Sequence, residues 1–376
     1  MLQVQHIQNI QPGDKTKGDF HFSLFKQIGM KRLVKQVVGI DVAQNELVVS
    51  LGRMDEQLDS EVFAHKIFPN TAKGFTALLA WVEKLTNTEA GVRFVMEATG
   101  VYHEALAYFL AERGQELSVV LPNKISNYFR TLSIKTITDK TASEAIVRFG
   151  LERKLENWQR PKSLFKRLRQ LTRERDQLVG ERTVIKNQLH AEQSEADPNL
   201  SSVERIKKRI AFVDNQLKEI RTELTGLLNQ DAEIKQLIKQ LCTLPGVGLL
   251  TAITVVAETN GFELIRNKRQ LSSYAGLDVR EKQSGTSVKG KPTISKKGNR
   301  FLRKAMHLPA LAAIRCDERF KAVFDRLVAR HGIKMKAVVA VQRKLLEMIF
   351  TLFKTNTTYK KDYLKMNTNN KESLSI

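Results

Sequence analysis

Apolar positions come in short runs through the first third of the chain and then switch to a helical period. Lys35-Gln36-Val37-Val38-Gly39-Ile40-Asp41 and Leu47-Val48-Val49-Ser50-Leu51 are rich in β-branched residues. The stretch between them is short enough for a tight turn, so the two predict a β-hairpin. Phe75, Leu78, Leu79, Trp81, Val82 and Leu85 recur at helical spacing and predict a helix. Arg93-Phe94-Val95-Met96 predicts a further strand. Tyr102 to Arg113 predicts a helix closed by Gly114, and Leu117 to Leu121 a strand stopped by Pro122. Strands alternating with helices predict an α/β domain over 35–160. Residues 1–34 are polar, lack a period and read as an extension.

From Pro161 to Leu241 the spacing is helical throughout. Leu164, Leu168, Leu171, Leu178, Ile185 and Leu189 form one stripe, interrupted by Arg175 and Arg182 at core positions. Val203, Ile206, Ile210, Val213, Leu217, Ile220, Leu224 and Leu227 form a second, stepping alternately by three and four, which is a heptad seam. Pro198 breaks the helix between them, and Ser201 with Glu204 predicts a capping box for the second arm. The expectation is an antiparallel coiled-coil hairpin over 161–241; it reads either as a plain helical linker or, since one seam alone buries too little to stand by itself, as an interaction or oligomerisation arm, and the arm is favoured. A mostly helical piece follows over 242–354. In it Leu244-Pro245-Gly246-Val247-Gly248 precedes an apolar helix from Leu249 to Ala257. That turn reads either as a helix-hairpin-helix element, with backbone N–H groups open to a phosphate, or as a simple Pro-Gly turn. Residues 355–376 read as a mobile polar tail. The fold class is therefore multidomain α/β plus α.

Charge narrows the function. Among 376 residues, 62 Lys and Arg face 40 Asp and Glu, a net charge of +22. A chain this basic holds a polyanion, and nucleic acid leads. Two cysteines, Cys242 and Cys316, exclude a disulfide framework and a cysteine-built zinc site. The seven histidines show no metal-ligand spacing. No apolar run reaches the length of a membrane span, and no signal-peptide core is evident, so a reducing cytoplasm is expected.

Two constellations carry candidate chemistry. Asp41 ends one strand, Glu97 follows another, and Asp139 enters the helix from Ala142 to Phe149. Singly each reads as a turn residue. Converging above a sheet edge, they would suit Mg2+, which takes oxygen ligands and clamps phosphate oxygens. The second constellation spans 280–304. Arg280, Lys282, Lys289, Lys291, Lys296, Lys297, Arg300, Arg303 and Lys304 meet a single acid there, Glu281. The run is interleaved with Gly and Ser, which favours phosphate contacts over an ordinary solvated face. Ser284, before Gly285, either attacks a phosphodiester among these cations or serves as a capping or phosphate-binding hydroxyl.

In order, these pieces resemble the DEDD-type insertion-sequence transposases and the related Piv-type DNA invertases. The likeness rests on Gly39-Ile40-Asp41-Val42-Ala43, Met96-Glu97-Ala98-Thr99-Gly100-Val101-Tyr102 and Thr138-Asp139-Lys140. It continues through Leu244-Pro245-Gly246-Val247-Gly248, Tyr274-Ala275-Gly276-Leu277, Gln283-Ser284-Gly285 and Ser295-Lys296-Lys297-Gly298-Asn299. The resemblance implies a RuvC-like, RNase H-type first domain with Asp41, Glu97 and Asp139 as ligands of Mg2+ or Mn2+. It implies a C-terminal transposase domain in which Ser284 forms a covalent phosphoserine link to DNA. It further implies donor and target DNA as partners, often chosen by a structured non-coding RNA, and homodimers that pair into tetramers. A bacterial, nucleoid-associated protein is the matching expectation. Two departures stand out: the extension of 34 residues is long, and the family's fourth acidic position is Ala142 here, so weakened cleavage is expected. Ser143 is one turn from Asp139 and is expected to reach a metal-bound water at most. Glu144 lies about 140° away around the helix. Two other readings remain at this point: a metal-dependent endonuclease of Holliday-junction type, and a non-catalytic nucleic-acid-binding scaffold.

Overall fold

The structure, a computed structural model, describes residues 32–360 except 88–89, 99, 133–135, 137, 264, 282, 285–287 and 290–292; for 283–284 and 288–289 it describes the backbone alone. The expected extension therefore lies almost wholly outside the described residues, as do Lys282 and Lys291. The chain divides into two compact units between Arg160 and Pro161.

In the first unit, β1 (Leu33–Val42), β2 (Glu46–Asp55), β3 (Ser60–Pro69), β4 (Val92–Glu97) and β5 (Glu116–Val120) form one sheet in the order β3-β2-β1-β4-β5. The β1–β2 and β2–β3 pairs are antiparallel, and the β1–β4 and β4–β5 pairs are parallel. The helices are α1 (Ala72–Leu85), α2 (Glu104–Glu112), α3 (Pro122–Phe129) and α4 (Asp139–Glu152). Val38, Ile40, Phe94 and Met96 pack on Phe75 and Leu78 of α1 and Leu106 and Leu110 of α2. Val37, Val95 and Val120 pack on Ile125 of α3 and Ile146 and Val147 of α4. With both faces covered, the central strands read as continuous apolar runs.

Two features of this unit depart from the sequence expectation. Strand β3 was not expected. It lies at the sheet edge with Phe68 its one buried side chain, so it shows no alternation to read. Pro122 does follow a strand, but it also opens α3 at the first helical turn, where its missing N–H is no loss.

The second unit opens with α5 (Ser163–Gln193) and α6 (Leu200–Asn229). Contacts of Arg167 with Glu223 at 3.7 Å, Arg182 with Asp214 at 2.8 Å and Gln188 with Arg209 at 3.3 Å show that the two run antiparallel. In the second stripe Val203, Val213, Ile220, Leu224 and Leu227 are buried, and Ile206, Ile210 and Leu217 pack partly buried beside them. Arg182 is accommodated by turning out to Asp214. The expected capping box is absent. Asn199 caps α6 instead, its side chain accepting from the N–H groups of Ser201 and Ser202 at 3.1 and 3.2 Å, while Glu204 pairs with Lys207. A shorter cap two residues earlier satisfies the same free N–H groups.

The remaining helices are α7 (Ala232–Leu241), α8 (Leu249–Glu258), α9 (Lys268–Tyr274), α10 (Arg300–Ala305), α11 (His307–Cys316), α12 (Glu318–His331) and α13 (Lys334–Thr355). Leu168 and Leu171 of α5, Leu224 and Leu227 of α6, Ile253 and Val256 of α8 and Leu345 and Ile349 of α13 belong to one core. Residues 161–241 and 242–354 thus share a hydrophobic centre. Gly246 has φ +81°, and a Cβ there would come 2.3 Å from the Pro309 carbonyl oxygen, so close packing on α11 requires this glycine. The first residues of the expected tail are tied down. Tyr359 donates to Asp317 at 2.8 Å, and its N–H donates to Thr243 Oγ1 at 2.9 Å. Residues 361–376 lie outside the described residues.

Candidate functional site: an acidic sheet edge and a basic serine loop

Strands β1 and β4 run parallel with Gly39 opposite Val95 and Ile40 opposite Met96. Asp41 and Glu97 follow at one level, at the carboxyl ends of both strands. Side chains alternate across a sheet, so Asp41 shares the face of Val37, and Glu97 that of Val95. That is the face covered by α4, whose first residue is Asp139. Gly39 permits the approach: a Cβ there would lie 2.5 Å from the Ser143 carbonyl oxygen and 2.6 Å from the Val147 nitrogen. Thr138 and Thr141 form a reciprocal cap at the helix start.

Asp41 feels both of the other carboxylates. Asp41 is pushed up to about 6, first by burial and then by the negative charges of Asp139 and Glu97; the Val42 N–H opposes the shift. Among the described residues no three His, Cys, Asp or Glu side chains stand close enough to hold an ion as they are. The donor chemistry nevertheless fits a hard divalent cation. All three side chains offer carboxylate oxygen, and a cation would relieve the mutual repulsion. At the same end of the sheet, Asn70 donates to the carbonyls of Ala43 at 2.9 Å and Tyr102 at 3.2 Å, joining the loops after β1 and β4. Its Oδ1 is buried and accepts no hydrogen bond among the described residues.

Ala142 brings no ligand. Ser143 faces the sheet. It is fully buried, its Oγ lies 2.7 Å from Ser50 Oγ on β2, and it donates to the Lys140 carbonyl at 2.8 Å. Glu144 lies 4.0 Å from Lys140. A hydroxyl four residues into a helix docked on a sheet faces the sheet, and Ser50 satisfies it there.

In the second unit, four short strands rise between α9 and α10. β6 (Val279–Arg280) pairs with β9 (Thr293–Ile294), and β7 (Gln283–Ser284) pairs with β8 (Val288–Lys289), both antiparallel. Ser284 stands opposite Val288, in the last described pair before the tip. The base of this excursion is built from the motifs on either side. The Asn299 N–H donates to the Tyr274 carbonyl at 2.7 Å, the Lys296 N–H to Gly276 at 3.1 Å and the Ser295 N–H to Asp278 at 2.9 Å. Arg303 donates to the carbonyls of Ala275 at 2.9 Å and Gly298 at 3.2 Å.

The basic residues therefore separate into kinds. Arg303 holds the loop base together. Lys304 pairs with Asp176 at 2.5 Å, and Arg300 lies over the Phe301 ring. Arg280, Lys296 and Lys297 are exposed beside the excursion. Only the backbone of Lys289 is described.

Beneath the base lies a group that sequence reasoning missed. Glu258, the last residue of α8, is 2% exposed. Arg173 of α5 grips both its oxygens at 2.7 and 2.8 Å, and Asn299 Nδ2 donates to Oε2 at 2.6 Å. The one sequence signal was a carboxylate closing the apolar run from Leu249. Asn70 carried no signal at all.

A family model described as Transposase, of the DEDD IS110 kind, matches residues 38–193. A second, described as Transposase IS116/IS110/IS902 family, matches residues 238–325. The pilin gene-inverting protein of Moraxella lacunata is 27% identical over 336 residues, covering 87% of this chain and 98% of its own length. The transposase for insertion sequence element IS1111A of Coxiella burnetii (strain RSA 493 / Nine Mile phase I) is 24% identical over 367 residues, covering 90% and 95%. Among solved structures, T. thermophilus RuvC in complex with a Holliday junction substrate aligns at 10% identity and a TM-score of 0.24, over 30% of this chain and 90% of that one.

Proposed function

The chain belongs to the IS110-type family of transposases and DNA invertases, and from that premise we propose that it cuts and rejoins DNA through Ser284, aided by the acidic edge of its RuvC-like, RNase H-type first unit. The observation that carries the reading is the placement of Asp41 and Glu97 at the carboxyl ends of neighbouring parallel strands, on the face covered by the helix that Asp139 opens. Like charges at the carboxyl ends of parallel strands favour a cation, and such edges are where α/β folds bind ligands. Asp41, Glu97 and Asp139 would hold Mg2+ or Mn2+, which supplies charge to a phosphodiester undergoing displacement.

The chain's own groups divide the remaining work. Ser284 Oγ attacks phosphorus, forming an Oγ–P bond as the P–O bond to the leaving sugar breaks. The hydroxyl proton passes to the leaving oxygen. The phosphodiester count is conserved, so the strand can be rejoined to another end without an external energy source. Arg280, Lys296 and Lys297 bind phosphates and neutralise the charge that develops. The paired helices α5 and α6 act as a coiled coil between protomers. They join dimers into a tetramer in which the acidic unit of one protomer serves the serine of another. A structured RNA selects donor and target DNA by base pairing, while the protein holds backbone and shape. The +22 charge supports two nucleic-acid partners. In this reading the protein works in the bacterial cytoplasm, and Ala142 weakens its cation binding.

The test uses a plasmid carrying the gene for this chain with its native flanks. Wild-type protein should yield DNA covalently bound to protein that survives denaturing gels. Ser284→Ala should abolish the adduct and strand exchange with nucleic-acid affinity nearly unchanged. Cleavage without an adduct would replace this reading with that of a junction endonuclease. Binding without cleavage, even in Ala142→Asp, would leave a scaffold. Sequencing RNA that copurifies with the protein tests the guide.

A further inference from the structure

We infer that Arg173, Glu258 and Asn299 form a positioning relay that fixes the direction of the Ser284 excursion relative to α5. The inference rests on the serine reading above.

Glu258 is a costly residue where it stands. It is buried, and it lies at the carbonyl end of α8, where the helix dipole disfavours negative charge. An apolar side chain of similar size would suit such a site at least as well for stability. The carboxylate instead divides its oxygens between two distant parts of the chain. Oε1 accepts from Arg173 Nε, and Oε2 accepts from both Arg173 Nη2 and Asn299 Nδ2. The planar Arg173 fork fixes the carboxylate in rotation as well as position. The same guanidinium lies 4.5 Å from the centre of the Phe301 ring on α10.

Both legs of the serine excursion end on this residue. On the leading side, Tyr274 donates its hydroxyl to the Glu258 carbonyl at 3.0 Å. On the trailing side, Asn299 donates to the Glu258 side chain while its Oδ1 accepts from the N–H groups of Phe301 and Leu302, capping α10. The Asn299 N–H also donates to the Tyr274 carbonyl at 2.7 Å, closing the two legs on each other. A tilt of α5 is therefore passed through one rigid ion pair to both feet of the loop that bears Ser284. Arg173 and its partners touch no reacting atom; they act through the backbone that carries the serine.

The test measures covalent adduct formation on the plasmid described above, using the full chain. Initial rate at saturating DNA is read separately from the DNA concentration giving half that rate. The double variant Arg173→Ala/Glu258→Gln removes both charges, so no buried charge is left unpaired. It should lower the saturating rate about tenfold or more while moving half-saturation by less than about threefold. Arg173→Lys keeps the charge and loses the fork, and should fall between wild type and the double variant. Adduct formation at the wild-type rate in Arg173→Lys, or in a folded double variant, overturns the relay. So does a rate loss matched by an equal rise in half-saturation. Should the double variant not fold, Arg173→Lys alone decides. Absence of any adduct in wild type overturns the serine reading itself, which keeps the two failures distinct.

Discussion

Replacing Asp41 with Asn should stabilise the cation-free protein at neutral pH and remove its response to divalent cations. In the folded chain Asp41 keeps its proton to about pH 6, whereas the unfolded chain releases it near 3.8. Between those values the folded state binds more protons, so stability falls as pH rises. The penalty is absent below about pH 4, grows through pH 6 and is complete above it. An interval of about two pH units at about 1.4 kcal/mol each would give about 3 kcal/mol. Asp41 is only half-buried, and solvent screening reduces the figure to about 1–2 kcal/mol. Asp41→Asn should therefore raise the thermal midpoint by about 3–6 °C at pH 7.5 in EDTA and leave it unchanged at pH 4. Calorimetry at pH 4, 5, 6 and 7.5 follows the curve. Adding Mg2+ at pH 7.5 should stabilise wild type and leave Asp41→Asn unmoved. A variant less stable than wild type at pH 7.5, or a difference that ignores pH, would refute the idea that crowded carboxylates define this edge.

Other perturbations probe the remaining parts. Gly39→Ala should destabilise the first unit by about 2–4 kcal/mol, since its Cβ meets the backbone of α4, and should weaken the Mg2+ response by displacing Asp139; chemical denaturation with and without Mg2+ reads both. Ile210→Asp with Leu217→Asp should put charge into the α5–α6 stripe and break the proposed pairing of protomers, and an unchanged mass by size-exclusion light scattering would mean that the stripe packs only within one chain. Ala142→Asp should add a fourth carboxylate one turn from Asp139 and raise Mg2+-dependent cleavage; a variant that cleaves no faster than wild type would remove position 142 from the site.

Much was legible along the chain because local periodicity reports which side chains leave water. The central strands stood out since both of their faces are buried, and the α6 stripe appeared because every third or fourth residue meets α5. The excess of cations between 280 and 304 was likewise plain, as was each acidic residue at an element end. Tertiary structure decided what no local pattern encodes. Edge strand β3 was hidden because an edge exposes most of its side chains. The placement of Asp41 and Glu97 at one level, on the face that α4 covers, depends on the parallel register of β1 with β4 and on Gly39 admitting α4, neither of which is a property of neighbouring residues. Docking on the sheet also turned Ser143 inward to Ser50. Arg173, Glu258 and Asn299 are 85 and 41 residues apart. Each looks ordinary in its own helix or loop; packing gathers them, and burial then makes their pairing obligatory because an unpaired charge there would be too costly to keep.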